Sequence, residues 1–396
     1  MALPIADPQP RRFILRAAVA SLALALAGCQ TLVPKGAPPP TGPTTTTPTK
    51  PTGPGAGLPE DAERNRVAVL VPMTGPNAAV GQSIANAANL AILDTGGAKV
   101  RITVYDTATG AAAAANRALA EGNKLFLGPL LSEDVAQVAP AARAANVPVV
   151  SFSNDTTVAG NGVFVMGFDP NQSIHRVVAY AQSKGLTRFA ALIPSGVYGR
   201  RASNAMLKAA QDAGANVVAM ESYDRSAASL TNAIKKLGGP GAYDALLIAD
   251  GGRISIQAAP LIRKQAGPGP RLLGTELWNT EAGLTASPAL HGAWFASVSD
   301  TMYGQLANKY RARFGRAPYR LSSLGYDAVL LTVRIAGDWK VGSNFPAGKL
   351  DDKGGFAGVD GAFRFGKDGV AERSLEVQQV GAAGFTTIAP APRGFE

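Results

Sequence analysis

RVAVLVPMTGPNAAVGQSIANAANLAIL, residues 66–93, joins an apolar run to a Pro/Gly/Asn loop and then to small and apolar residues at helical spacing. Val67–Val71 has no polar position, as suits a strand in a parallel sheet covered by helices, and Gly81–Leu93 reads as the first such helix. The same alternation continues outward. Val100–Tyr105 reads as a strand, Ala111–Glu121 as a helix, Leu125–Leu127 as a strand, Ser132–Ala145 as a helix and Val147–Ser151 as a strand. A second series follows, with helices at His175–Lys184, Arg200–Ala213, Ala227–Leu237 and Ile254–Gln265 between strands at Phe189–Ile193, Val217–Glu221, Ala245–Ala249 and Arg271–Leu273. Tyr303–Phe314 and Tyr326–Trp339 look helical, and Val359–Phe365 and Leu375–Val380 look like late strands. Alternating strands and helices over about 330 residues exceed one sheet, so two α/β lobes with a cleft between them are the economical arrangement. In open parallel sheets the loops after the strand ends surround the ligand crevice. Here those loops are Pro72–Gln82, Gly128–Glu133, Ser151–Thr157, Pro194–Gly199, Asp250–Arg253 and Gly274–Thr280.

Upstream of residue 66 the composition changes. Arg11, Arg12 and Arg16 precede the apolar run Ala17–Ala27, which ends in Leu26-Ala27-Gly28-Cys29. A basic segment, a short apolar segment and small residues before the break describe a secretory signal, residues 1–28. The run is too short to span a bilayer, for which a helix needs about 20 residues. Arg11-Arg12-Phe13-Ile14-Leu15 matches a twin-arginine signal only faintly. Pro34–Pro59 is almost wholly Pro, Thr, Gly and Ala, which cannot build a core, so residues 29–65 read as a stalk able to reach about 80–100 Å if extended.

Composition narrows the chemistry. The formal charge is +10, of which the part after residue 65 carries +8. Its bases are scattered, with no run longer than two and no interleaved aromatics, which argues against nucleic-acid binding. Cys29 is the single cysteine, so an internal disulfide, a thiolate zinc site and a CxxC redox pair are excluded. The two histidines, His175 and His291, have no metal-ligand spacing, and no metal or cofactor is expected. No phosphate-cradling glycine loop follows a strand, and Pro194-Ser195-Gly196 is a loop rather than a nucleophile elbow. Acids do sit in the strand-end loops (Asp106, Glu133, Asp155, Asp250, Glu276), as helix caps or ligand contacts. A non-catalytic binding protein is the expectation.

Several short motifs carry a family resemblance. Leu26-Ala27-Gly28-Cys29 resembles the bacterial lipobox, which implies that Cys29 is lipidated, and Gln30 after it implies the outer membrane, facing the periplasm. Val69–Asn77 with Gly81-Gln82, Gly128-Pro129, Val147–Ser151, Tyr198-Gly199, Gly325–Ala328 and Gly358–Phe365 with Gly369 together resemble the leucine-isoleucine-valine type of periplasmic binding protein. The implied architecture is the type I periplasmic-binding fold, two Rossmann-like parallel-sheet lobes joined by three crossovers at a hinge. The expected lobes are 66–168 plus about 299–345, and 169–298 plus about 346–396. Gly128–Leu131, Phe168-Asp169-Pro170 and Leu192-Ile193-Pro194 resemble more closely the C-terminal domain of the lipoprotein activator of penicillin-binding proteins. The helical-repeat domain of that family is absent, with the Pro/Thr stalk in its place.

The resemblance also implies a ligand site. Amino-acid binders of this type hold the ligand carboxylate at a helix start, where serines and backbone N–H groups face it. Ser132 and Ser153 with Asn154 fall at such positions, but Glu133, Asp134 and Asp155 beside them disfavour an anion. Glu276 matches the position that takes a ligand ammonium, Tyr198 is placed to close over the cleft, Asp250 lies at a strand end, and Trp278 either packs the lobe or stacks on the ligand. A small amine-bearing ligand is therefore expected. Two functions follow: an accessory lipoprotein that activates a peptidoglycan synthase, with a penicillin-binding protein as partner, or the substrate-binding protein of an ABC importer for branched-chain amino acids or related molecules, with a permease as partner.

Overall fold

A computed structural model describes residues 63–392 other than 98 and 280, together with residue 395. The signal segment, Cys29 and nearly all of the stalk lie outside the described residues.

The first lobe opens with β1 (Asn65–Val71), α1 (Ala78–Thr95), β2 (Val100–Asp106), α2 (Ala111–Ala120), β3 (Phe126–Leu127), α3 (Ser132–Ala144), β4 (Val149–Ser151) and β5 (Val163–Val165). The strands form one parallel sheet in the order β2-β1-β3-β4-β5. Strand alternation divides β1 between two cores. Val67, Val69 and Val71 join α1, while Ala68 and Leu70 join α2 and α3. Covering both faces is why no polar residue interrupts Val67–Val71.

The second lobe repeats the plan with α4 (Pro170–Ser183), β6 (Arg188–Pro194), α5 (Val197–Asp212), β7 (Asn216–Tyr223), α6 (Ala227–Lys236), β8 (Ala245–Ile248), α7 (Gly252–Ala266), β9 (Arg271–Gly274) and β10 (Trp294–Ser297). In β6, Ala190 and Leu192 face one core, and Phe189, Ala191 and Ile193 face the other. A Cβ on Gly81 would run into the carbonyl of Pro72, and one on Gly199 into that of Pro194. In each lobe a glycine therefore lets the helix after the first strand, α1 after β1 and α5 after β6, lie against the end of that strand, which holds the intervening loop at the cleft.

The chain then returns to the first lobe. α8 (Thr301–Phe314) and α9 (Ser322–Ala336) contribute Tyr303, Leu306, Leu324 and Val329 to the core that holds Val67. The sequence suggested a crossing to the second lobe near residue 346. Packing places it later, because β11 (Phe356–Gly358), β12 (Gly361–Phe365) and β13 (Ala371–Arg373) form a separate antiparallel sheet whose Phe356, Phe363 and Phe365 lie in the first-lobe core. Asp327 of α9 fixes this sheet by accepting the Val359 and Asp360 N–H groups at 2.7 and 3.3 Å. Only then does β14 (Glu376–Gly381) enter the second sheet, antiparallel to β10, with β15 (Gly384–Ala389) antiparallel beyond it. The seven-stranded order is β15-β14-β10-β9-β8-β6-β7. The lobes are thus joined at 166–169, 298–300 and 374–375.

Candidate functional site

The loops at the strand ends of both lobes and the three crossovers enclose a cavity of about 720 Å³. Within the first lobe, Asn77 and Val80 come from the start of α1, Leu130 and Leu131 from the loop before α3, and Phe152 and Asn154 from the loop after β4. Opposite them stand Glu276, Leu277, Asn279 and Glu281 of the second lobe. Phe168, Asp169, Val298 and Leu375 of the crossovers, with Ser297 at the end of β10, Arg373 at the end of β13 and Arg320 at the approach to α9, form the floor. The volume falls within the range of about 300–1,000 Å³ usual for small-molecule sites.

Of the residues singled out in the sequence, Asn154 and Glu276 line the cavity. Glu276 opens a short helical turn after β9, capped by the Thr275 hydroxyl. Its Oε1 lies 3.0 Å from the Tyr198 hydroxyl, which also lies 3.0 Å from Thr275 Oγ1. Oε2 is buried without a hydrogen-bond partner. Burial pushes the Glu276 carboxyl up to about 7, and the negative charge of Asp169 nearby adds to the effect. Tyr198 thus clamps Glu276 from behind the wall. Its own hydroxyl is held well above its usual range by burial and by the Glu276 charge.

The remaining expected contacts have other partners. Ser132 begins α3 just past the wall residue Leu131, with its hydroxyl 3.4 Å from Glu133. The Ser153 hydroxyl accepts the Asp155 N–H at 3.0 Å, which shapes the loop. Asp155 accepts the Thr157 N–H at 3.0 Å and forms an ion pair of 2.5 Å with Arg201 of α5. Because Asp155 is in the first lobe and Arg201 in the second, this pair spans the cleft beside the cavity, and Arg201 also donates to the Asn154 carbonyl at 3.3 Å. Asp250 is placed as framework rather than as a ligand contact. Its carboxylate is occupied by Tyr223 Oη at 2.6 Å, Arg225 at 2.8 and 3.2 Å and the Gly251 N–H at 2.8 Å. Trp278 is likewise framework: it is fully buried against Phe295, and its indole N–H donates to the Asp250 carbonyl at 3.0 Å.

The structure adds residues that no sequence motif marked. Arg320 and Arg373 both lie against the Phe168 ring, with guanidinium carbons 5.6 and 4.9 Å from its centroid. Arg320 donates to Asp360 at 2.7 Å and lies 3.4 Å from Asp300. Arg373, 8% exposed, donates to the Met166 carbonyl at 2.6 Å. Asp169 caps α4 by accepting the Asn171 N–H at 3.0 Å, and its burial raises its carboxyl. The only sequence signal near these groups was Phe168-Asp169-Pro170. An arginine in a short strand carries none. The cavity therefore has two arginines and Asp169 on its floor and the acids Glu276 and Glu281 on its second-lobe side. Among the described residues, no cluster of three His, Cys, Asp or Glu is arranged to hold a metal ion.

Comparison with known proteins places this architecture. The leucine binding protein LivK of Thermotoga maritima superposes with a TM-score of 0.62 at 20% identity, covering 83% of this chain and 99% of that one. A putative branched-chain amino acid ABC transporter protein of Rhodospirillum rubrum gives 0.71 at 21%, covering 82% and 100%. A solute binding protein of an R. palustris ABC transporter, solved with benzoate, gives 0.61 at 17%, covering 84% and 98%. At these identities the likeness is one of fold. The uncharacterized protein RP748 of Rickettsia prowazekii (strain Madrid E) is 25% identical over 173 residues, 43% of this chain, and the chain spans about half of that relative's length, 46%. The sequence profile described as periplasmic binding protein matches residues 65–384, which takes in both sheets and the cleft between them, and the chain belongs to that family.

Proposed function

We propose that this chain is a non-catalytic receptor that captures a small organic molecule between its lobes and delivers it to an importer of the ATP-binding-cassette kind. One observation carries this reading: the cavity between the lobes is walled by polar atoms that lack protein partners, among them Glu276 Oε2 and Asn279 Oδ1. Buried polar groups are ordinarily satisfied, and a cleft that leaves several open is built for the polar groups of a ligand. The named activities of the fold relatives, leucine binding and an ABC solute protein solved with benzoate, agree in kind. The test is the thermal midpoint of the purified chain across amino acids, aromatic acids and amides. A ligand at 100 times its dissociation constant stabilises by about 2.7 kcal/mol, so capture is read as a clear upward shift. A panel without any shift overturns the reading.

A second reading keeps the lobes but changes the partner. The first turn of α3 carries Glu133 and Asp134 where amino-acid binders receive a carboxylate, and Leu130 and Leu131 before it line the cleft. That departure, with the likeness of Gly128–Leu131 to the activators of penicillin-binding proteins, supports an outer-membrane lipoprotein anchored at Cys29 that acts on a peptidoglycan synthase. Co-purification of a synthase with the chain, lost on Cys29→Ala, is the expected result. Recovery of a permease instead returns the first reading.

A further inference from the structure

The hinge floor holds two arginines whose hydrogen-bonding capacity is only partly used. Arg373 is 8% exposed and donates one hydrogen bond, from Nη2 to the Met166 carbonyl, while its Nε and Nη1 are buried without partners. Arg320 donates from Nη1 to Asp360 and Ser323, and its Nε is likewise buried and unpartnered. Both side chains line the cavity. A buried guanidinium N–H without an acceptor is costly, more so than a neutral one, so these atoms call for an acceptor supplied from the cavity.

The charges nearby limit what that acceptor can be. Arg320 is already matched, with Asp360 at 2.7 Å and Asp300 at 3.4 Å. Arg373 hydrogen-bonds no carboxylate. Asp360 and Asp327 lie near enough to favour its charge, yet burial still lowers its affinity for the proton. Its Nε and Nη1 therefore lack a direct acceptor, and with Asp300, Asp327 and Asp360 already beside the two guanidinium groups the floor leaves room for a monoanion at most and disfavours a multiply charged phosphate. A planar carboxylate matches the fork of a guanidinium with two parallel hydrogen bonds. The apolar residues that line the cavity include Val80, Leu130, Phe152, Leu277, Val298 and Leu321. Such walls suit an apolar body, and the volume exceeds that of a single small acid.

We infer that the hinge floor is an anion subsite in which Arg373, assisted by Arg320, receives the carboxylate of an organic monoacid whose apolar body extends between Leu130 and Leu277. The inference rests on the capture reading and deepens it, moving the acid-binding position from the start of α3 to the crossovers. Phe168, in contact with both guanidinium groups, shields each of them from water.

The experiment uses the purified chain and matched probes: 4-methylpentanoate, 3-phenylpropanoate and 4-phenylbutanoate, each beside its primary amide, with binding read by calorimetric titration and by thermal midpoint. At least one acid is expected to bind, with its amide at least tenfold weaker. In Arg373→Lys, which keeps a positive charge and a donor for Met166 but loses the fork, the acid should fall to the level of its amide while the unliganded midpoint changes little. Arg373→Gln serves as the second variant should the lysine fail to fold. Amides that bind as well as their acids, or acids indifferent to both substitutions, overturn the anion subsite and leave capture standing. Silence from every acid and amide overturns the subsite and counts against capture as well.

Discussion

Glu276 and Trp278 stand two residues apart and do different work, which shows how much a single backbone turn decides. The turn after β9 directs the Glu276 carboxyl into the cavity and the Trp278 indole into the lobe core. Trp278→Ala should cost about 3–5 kcal/mol of stability, the usual range for removing a large buried aromatic. A ligand-stacking role would instead leave the denaturation midpoint in place and reduce affinity alone. Glu276 has a pH signature. Its ordinary value is 4.5 and in the folded chain it is about 7, so between these the folded state holds a proton that the unfolded state has released. The stability this group contributes is therefore present below about pH 4.5 and lost as pH rises through 7. Glu276→Gln should flatten that part of the stability profile, and an unchanged profile in denaturant titrations from pH 4 to 8 would contradict it. Asp327, also raised to about 7, acts in the same direction and remains in both proteins, so the comparison isolates Glu276.

Among the elements, every α-helix and most strands were legible in the sequence, including the short β3 and β4 within apolar runs, while β5, β10, β11, β13 and β15 were not. Val67–Val71 announces β1 because burial on both faces removes every polar residue from it, and α5 and α7 show apolar residues at helical spacing. β5, β11 and β13 are three residues each, too short for any period to emerge, so the antiparallel sheet of β11–β13 was not foreseen and the second-lobe return was placed too early. The paired glycines were visible as motif letters, but their reason is geometric. Gly81→Ala or Gly199→Ala should lower stability by about 1–3 kcal/mol, read as a lower thermal midpoint, because the added methyl must displace a proline carbonyl. The Arg201–Asp155 pair joins α5 to the loop after β4 across the cleft. Both side chains keep some solvent contact, 21% and 16%, so Arg201→Ala should cost no more than about 1 kcal/mol of stability. Its expected effect is on shape: the lobes part, small-angle scattering gives a larger radius of gyration, and ligands dissociate faster. Identical scattering curves for variant and parent would remove the latch.

For the whole molecule, the sequence identified two lobes and a cleft correctly but located little of the cleft's chemistry. Lobes follow from local patterning, which a chain displays residue by residue. A site at three crossovers follows from long-range convergence: Phe168, Arg320 and Arg373 are far apart in the chain and meet only after both sheets have formed. Asn154 and Glu276, singled out on strand-end loops and by the family resemblance, do line the cavity, whereas Ser132, Ser153 and Asp155 on similar loops do not. Capture of a small organic molecule between the lobes is best tested by a crystal structure of the chain grown with the strongest stabiliser from the thermal panel. The expected result is that compound enclosed between Glu276, Asn279 and Arg373. A cleft holding only water, with the compound bound elsewhere on the surface, would contradict it.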